Sequence, residues 1–491
     1  MQKEKSKSPN ILLIVIDALR ARNLGCCGAE DNPSPNIDRL AERGILFENA
    51  FSCWNTTDQS LTSILTGRYP RTHGITHHGD KIPPEDLETF QKLNIKLLSE
   101  ILRQNGYRTF AIDWMARWFK SGFEDYGYRP KRNLFQKMTY ALLTLPYLHL
   151  KYIVSGITIV KIYKKTRNTS PRTDWKTFKE VFQTFRFLFE LARIHDSGFI
   201  TGLAKELIHR ARGDKFFLFI HYWDTHPPYN CPRKYRPHKK IRDSLDLLSA
   251  KYQGAVSYVD RNLGKLLRFL KNQKLLDDLL IILTSDHGES LTEHEIFFDH
   301  HGLYDVTTHV PLILFSPRHF PDAKRIKALV QHVDLVPTLC NLLGVEPEER
   351  AWDGRSLLPV ISGDEEEIRD HALIEESYAE RKIAFRTKEF KFIYAPDGEG
   401  KCKYCQKVHG GAEELYSLMD DPEETENRIK KDPFQAEKMR QRLADTIDTL
   451  DSKRKQELKR HEAPKTPHQP YSDAREEKKI RKKFKSLGYM D

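Results

Sequence analysis

The sequence predicts an α/β fold: a large, mostly parallel central sheet sandwiched by helices, followed by a smaller C-terminal α+β subdomain with an antiparallel sheet. Three observations carry this. The runs "ILLIVID" (from Ile11), "KFFLFIHYWDTHPPY" (from Lys215) and "LLIILTSDHGE" (from Leu279) are apolar without alternation, as expected of strands buried on both faces of a parallel sheet. Amphipathic helical stretches lie between strand-like runs, so the order reads β-α-β-α. Each run also ends in acid–base or metal-capable side chains: Asp17 on the first, Asp224 and His226 on the second, Asp286 and His287 on the third. Open α/β sheets place their sites just beyond the carboxyl ends of strands, so the three tails point to one shared site.

The elements follow in chain order. "SPNIDRLAERG" has Ser34 as cap, Pro35 in the first turn, apolar Ile37, Leu40 and Ala41, and Gly44 as stop, the punctuation of a short helix. In "NTTDQSLTSILTGRYP" (55–70), Thr56 or Thr57 would cap a helix from about Asp58 to Thr66, with Leu61, Ile64 and Leu65 inward and Gly67 as stop. That helix N-terminus would offer free N–H groups to an oxyanion. "LNIKLLSEILRQNGYRTFAI" reads as a helix ended by Gly106 and a strand near Thr109 to Ile112. "KYQGAVSYVDRNLGKLLRFLKNQ" is a long amphipathic helix leading into the Leu279 strand. The expected catalytic domain spans 8–370, with an insertion at about 128–200. A subdomain over 371–450 would pair "KIAFRTKEFKFIYA" strands with the "PFQAEKMRQRLADTIDTL" helix, and a basic tail would occupy 451–491.

Composition narrows the function. The chain has 491 residues, too many for one compact core, and 30% are charged. Its net charge of +11 suits an anionic substrate or surface. About seven of those positive charges fall between Ser452 and the end, so the catalytic body is only mildly basic, and no aromatic-interleaved basic motif points to nucleic acid. Seven cysteines, two of them adjacent at Cys26 and Cys27, do not form a disulfide framework. The N-terminal apolar run, Ile11 to Ile16, is too short for a signal peptide, so the expected location is cytoplasmic. Residues 141–165 are apolar but interrupted by Pro146, His149 and Lys151. They read as a buried helix of the insertion, or as an interfacial element that could give peripheral contact with an anionic membrane. The oligomeric state is not legible.

Taken together, "NILLIVIDALRARNLGCCG", "SPNIDRLAERGILFENAFS", "SILTGRYPRTHGI", "FFLFIHYWDTHPPY", "IILTSDHGESLTEH" and "LYDVTTHVPLILFSP" resemble the sulfatase family of the alkaline phosphatase superfamily, in the family's order and over nearly the whole chain. The resemblance implies an alkaline phosphatase-like fold, and roles for residues at matching positions. Asp17, Asp286 and His287 match metal ligands, and the nucleophile position, counted back from "LTGRYP", is Thr57, which would bridge metal and substrate. His226 matches a histidine that contacts the transferred group or protonates the leaving group. Either His300 or His301 falls where relatives place another contacting side chain, with His309 nearby; His301 joins Thr57 and His226 in the expected catalytic set.

Two departures shape the expected chemistry. Sulfatases carry Cys or Ser followed by x-Pro-x-Arg, converted to formylglycine, whereas this chain reads Thr57, Asp58, Gln59, Ser60, Leu61. Many also have paired aspartates where this chain has Asp17 and Ala18. The implied site therefore resembles the threonine-nucleophile branch, with no formylglycine. Two carboxylates, an imidazole and a hydroxyl suit one divalent ion, Zn²⁺, Mn²⁺ or Mg²⁺, with Ca²⁺ also admissible. The expected function is hydrolysis of a small anionic ester through a covalent Thr57 intermediate, phosphodiesters ahead of sulfate esters. The alternatives are an arylsulfatase-like hydrolase, a head-group transferase of the phosphoethanolamine or phosphoglycerol type, and a non-catalytic binding protein. "CKYCQKVHGG", with Cys402, Cys405 and His409, resembles half a zinc site without a fourth ligand nearby in sequence, and reads instead as a hairpin tip.

Overall fold

The computed structural model describes residues 8–461, apart from 80–81, 114, 116, 128–195, 230, 238–240, 347–350 and 403–405. Segment 141–165, most of the expected insertion, Cys405 and the chain beyond 461 lie outside the described residues. Eight strands form the main sheet: β1 (Asn10–Ile16), β2 (Ile45–Phe51), β3 (Arg108–Ile112), β4 (Asp125–Tyr126), β5 (Phe216–Tyr222), β6 (Leu279–Thr284), β7 (Leu312–Phe315) and β8 (Lys324–Gln331). Their spatial order is β4-β3-β5-β1-β6-β7-β2-β8. Among the described residues of this sheet, only β7 runs against the rest.

β1 shows why its sequence does not alternate. Ile11, Leu13 and Val15 enter one core, and Leu12, Ile14 and Ile16 enter the other. The first core is covered by α2 (Thr57–Thr66) through Leu61, Ile64 and Leu65, and by α3 (Leu98–Gln104) through Leu98, Ile101 and Leu102. On the opposite face lie α1 (Pro35–Ala41), α4 (Ser197–Arg210) and α5 (Ser244–Asn272). Burial on both faces makes each β1 residue costly to truncate: Leu13→Ala should lose about 2–5 kcal/mol.

β1 sits at the centre of the sheet, with β5 on one side and β6 on the other, both parallel to it. The three strands whose tails carry the candidate residues are therefore neighbours, and their carboxyl ends open on the same side.

The second sheet is antiparallel, in the order β12-β11-β10-β9, from β9 (Ala372–Glu376), β10 (Lys382–Arg386), β11 (Phe390–Tyr394) and β12 (Glu413–Ser417). One face packs on α6 (Pro433–His461), where Ala436, Met439, Leu443 and Leu450 meet Leu373, Phe385, Phe392 and Leu415. This helix continues eleven residues past the expected start of the basic tail. The extension is held by ion pairs to earlier parts of the chain: Arg68 to Glu457 at 2.5 Å, Arg71 to Asp451 at 3.2 Å and Lys453 to Asp353 at 2.5 Å. A backbone bond from Glu375 N to Cys53 O, 3.2 Å, joins the small sheet to the loop that precedes α2. Among the described residues, no helix is long and apolar enough to cross a membrane.

Candidate active site and metal centre

The cap question at the start of α2 has a geometric answer. Thr56 occupies the N-cap position in extended conformation, and its hydroxyl donates to Gln59 Oε1 at 2.6 Å. Thr57 is the first helical residue. Its hydroxyl faces Asp17 Oδ2 at 3.5 Å and His287 Nε2 at 3.4 Å, away from the helix backbone. Gly67, at φ 70°, ends the helix in a left-handed conformation that a side chain would strain.

Asp17 follows β1, and Asp286 and His287 follow β6. Ala18 N and His287 N both donate to Asp286 Oδ1, at 3.1 and 2.9 Å, which fixes that carboxylate between the two strand ends. His287 Nδ1 donates to Gly288 O at 2.8 Å, which leaves the Nε2 lone pair facing Thr57 and Asp286 Oδ2, the latter at 3.4 Å. Burial holds the His287 imidazole below its ordinary range, against the pull of Asp286.

A residue not singled out from the sequence completes the group. His221 lies in β5 opposite Val15 of β1. Its Nε2 stands 3.6 Å from Asp17 Oδ2, while its Nδ1 bonds Asp113 Oδ1 at 3.1 Å. Asp113 in turn accepts from the Tyr126 hydroxyl. A carboxylate behind a histidine is the arrangement that orients metal-ligating imidazoles. Asp17, His221 and Asp286, all buried, bring one donor atom each within 4.8 Å of one another.

This donor set fits a divalent cation. Asp17 Oδ1, Asp286 Oδ2 and His221 Nε2 are buried without a hydrogen-bond partner among the described residues. The spacings of 3.4–3.6 Å are long for direct hydrogen bonds. Donors about 2.1–2.4 Å from one shared ion would stand roughly 3.0–3.9 Å apart. Burial, with the nearby charges of Asp286, Glu289 and Asp113, raises Asp17 well above the carboxylate range. Asp286 is lowered: burial pushes it up, but His287 and His221 outweigh that. Two carboxylates sharing this space call for a proton or a cation between them.

Around this centre stand further groups that can meet an anion. His300 packs on His287 with ring centroids 4.6 Å apart, and stacks on Tyr378 at 5.2 Å. Burial, together with His287, His78 and His226, holds His300 well below the histidine range despite Asp299. His226 follows β5 and bonds Pro227 O through Nδ1 at 2.8 Å. Asp58, beside Thr57, is locked by Arg117 Nε at 2.7 Å and His78 Nδ1 at 2.9 Å. Asp224 does not join the group; its Oδ1 accepts from Ser197 N at 3.2 Å.

Of the expected catalytic set, Thr57 meets Asp17 and His287, and His226 borders them. His301 is a correction. Successive residues in extended chain point to opposite sides, and His301 turns away from His287 to lie 3.5 Å from Cys402 Sγ. His300 takes the position beside His287. His309 is also elsewhere, stacked on Phe51 at 5.0 Å and bonded to Glu48 O at 2.9 Å. His221 carried one signal in the sequence, a lone imidazole in the apolar run "FFLFIHYW".

The chain is similar to known proteins over most of its length. The Sulfatase family model matches residues 9–345, and the model described as N-sulphoglucosamine sulphohydrolase, C-terminal, matches 292–453. The Delta 4,5-hexuronate-2-O-sulfatase of Bacteroides thetaiotaomicron is 23% identical over 440 residues, covering 88% of this chain and 86% of that protein. An arylsulfatase of Clostridium perfringens is 24% identical over 482 residues, covering 87% and 91%. The crystal structure of the phosphonate monoester hydrolase of Agrobacterium radiobacter superposes with a TM-score of 0.65 at 20% identity, over 91% of this chain and 96% of that one. With a family model spanning more than two thirds of its length, this chain belongs to the sulfatase family and is an ester hydrolase.

Proposed function

We propose that the protein is a metal-dependent hydrolase of small anionic esters that uses Thr57 as nucleophile and favours phosphodiesters over sulfate esters. The observation that carries this is the Thr57 hydroxyl, which leaves its own helix backbone to face Asp17 and His287. Asp17, Asp286, His221 and His287, with Thr57, are the residues that would hold the divalent ion the family generally uses. Such an ion lowers the pKa of a coordinated hydroxyl and neutralises charge on a phosphoryl or sulfuryl oxygen.

The chain's own groups do the rest. Asp17 Oδ2 is placed to draw the hydroxyl proton as Thr57 Oγ attacks the phosphorus. The N–H groups at the start of α2 face the developing oxyanion. His226, which lies near enough to His300 to influence its charge, is the group that protonates the departing alcohol. Water then attacks the phosphorus of the Thr57 ester and restores the hydroxyl. A formylglycine hydrate can expel sulfate by breaking its own C–O bond. Threonine lacks the second hydroxyl that drives this, so the transferred centre itself must be attacked twice. We further propose the division into a catalytic domain (8–370) and a C-terminal subdomain (371–450).

A sulfate ester is the second reading, favoured by the names of the relatives, which are sulfatases. Steady-state rates on matched nitrophenyl phosphodiester and nitrophenyl sulfate, each with Mg²⁺, Mn²⁺, Zn²⁺ and Ca²⁺, separate the two. The proposal expects the larger kcat/KM on the phosphodiester, and a larger value on the sulfate overturns the preference.

A further inference from the structure

We infer that His301, Cys402 and His409 form a second metal site of the zinc type, separate from the Asp17 centre. His301 lies about a hundred residues before Cys402 and His409, and all three are buried. They bring one ligand atom each within 4.8 Å of one another. Cys402 Sγ and His301 Nε2 are 3.5 Å apart. With Zn–S near 2.3 Å and Zn–N near 2.0–2.1 Å, two ligands at a tetrahedral angle would stand about 3.6 Å apart.

The surroundings are arranged as for ligation. His301 Nδ1 faces Asp299 Oδ2 at 3.4 Å. His409 Nδ1 donates to His294 O at 3.3 Å. In both rings the Nδ1 side is occupied by an oxygen acceptor, and in His301 the Nε2 is the atom turned toward the thiol. This is the second shell that fixes the tautomer of a metal-bound histidine. The chain around Cys402 is closed by two backbone bonds, Cys402 N to Lys407 O at 2.7 Å and Gln406 N to Cys402 O at 2.8 Å. Lys382 Nζ donates to His409 O at 2.5 Å and holds the other end of the loop.

The donor set decides the metal class. One thiolate and two imidazoles select Zn²⁺ over Mg²⁺, Mn²⁺ or Ca²⁺, whereas the carboxylates of Asp17 and Asp286 admit the harder ions. Binding would take the Cys402 thiol proton into solvent and form one Zn–S and two Zn–N bonds, with the fourth corner left to another donor. Such an ion would tie the loop between β11 and β12 to the 299–304 turn. That turn carries His300 onto His287, so a site in the C-terminal subdomain would steady a wall of the active site.

The test uses the full chain. Elemental analysis after exhaustive dialysis should find zinc in the parent protein and in Asp286→Asn, and lose about one equivalent in Cys402→Ser and in His409→Ala. Cobalt substitution of the parent protein should give a thiolate-to-cobalt charge-transfer band that zinc abolishes. This second readout needs no variant, so it decides the matter even if Cys402→Ser fails to fold. Equal zinc in the parent and Cys402→Ser, or a cobalt-loaded parent without the thiolate band, would show a hydrogen-bonded trio with no ion and overturn the inference. Neither readout depends on the role of Thr57.

Discussion

Replacing Thr57 by alanine removes one hydroxyl and one methyl group from a side chain that is 3% exposed. The hydroxyl makes no cap bond, so the helix keeps its start, with Thr56 still in the N-cap position. The stability cost should be that of an ordinary small deletion, on the order of 1 kcal/mol. The catalytic cost is of another kind: a lost nucleophile typically lowers kcat by about 10⁴–10⁶-fold. Thr56→Ala makes the converse change. It breaks the 2.6 Å bond to Gln59, should cost about 1 kcal/mol, and should leave kcat within a few-fold of the parent. Thr57→Ser restores a hydroxyl at the same place and should recover measurable turnover. The assay is steady-state hydrolysis of nitrophenyl phosphodiester in saturating metal, with thermal unfolding run in parallel. If folded Thr57→Ala keeps kcat within tenfold of the parent, the nucleophile assignment is wrong.

Two further outcomes follow from the centre's electrostatics. Asp17 has its folded pKa raised, chiefly by burial, so without metal the native chain holds a proton that the unfolded chain has released. Stability of chelator-treated protein should therefore fall as pH rises above the unfolded carboxylate value, by about 1.4 kcal/mol per pH unit until the folded pKa is passed. Asp17→Asn should flatten that slope; an unchanged slope in the variant would contradict it. His221→Ala should weaken metal binding by more than Asp113→Asn, for which about 10–100-fold is expected of a partner behind a ligand. Isothermal titration with Mn²⁺ checks both, and parent-like affinity in His221→Ala would remove His221 from the centre.

The main sheet was legible because its central strands are buried on both faces, and unbroken apolar runs such as "ILLIVI" record that directly. Asp17, Asp286 and His287 were legible because they end those runs. What the strand pattern could not supply was lateral register. His221 is set against Asp17 only by the pairing of Val15 with His221, and a buried histidine inside a strand reads as strand until its neighbour is known. His300 and His301 were not separable for a related reason. Adjacent residues face opposite sides, and the partner that draws His301 away, Cys402, lies about a hundred residues downstream. The same distance hid the approach of His301 to Cys402 and His409 of "CKYCQKVHGG", a stretch that shows no fourth ligand nearby in sequence. The end of α6 was not legible because its last residues are charged, and their partners lie far away in sequence: Glu457, Asp451 and Lys453 pair with Arg68, Arg71 and Asp353.

The central claim is a covalent Thr57 ester, and the stereochemical course of one turnover tests it most directly. A phosphodiester made chiral at phosphorus by sulfur substitution is hydrolysed in ¹⁸O-water, and the product configuration is read by phosphorus NMR. Attack by Thr57 followed by attack of water inverts the centre twice, so retention of configuration is predicted. Net inversion would mean that water attacks the substrate directly, and would contradict the account.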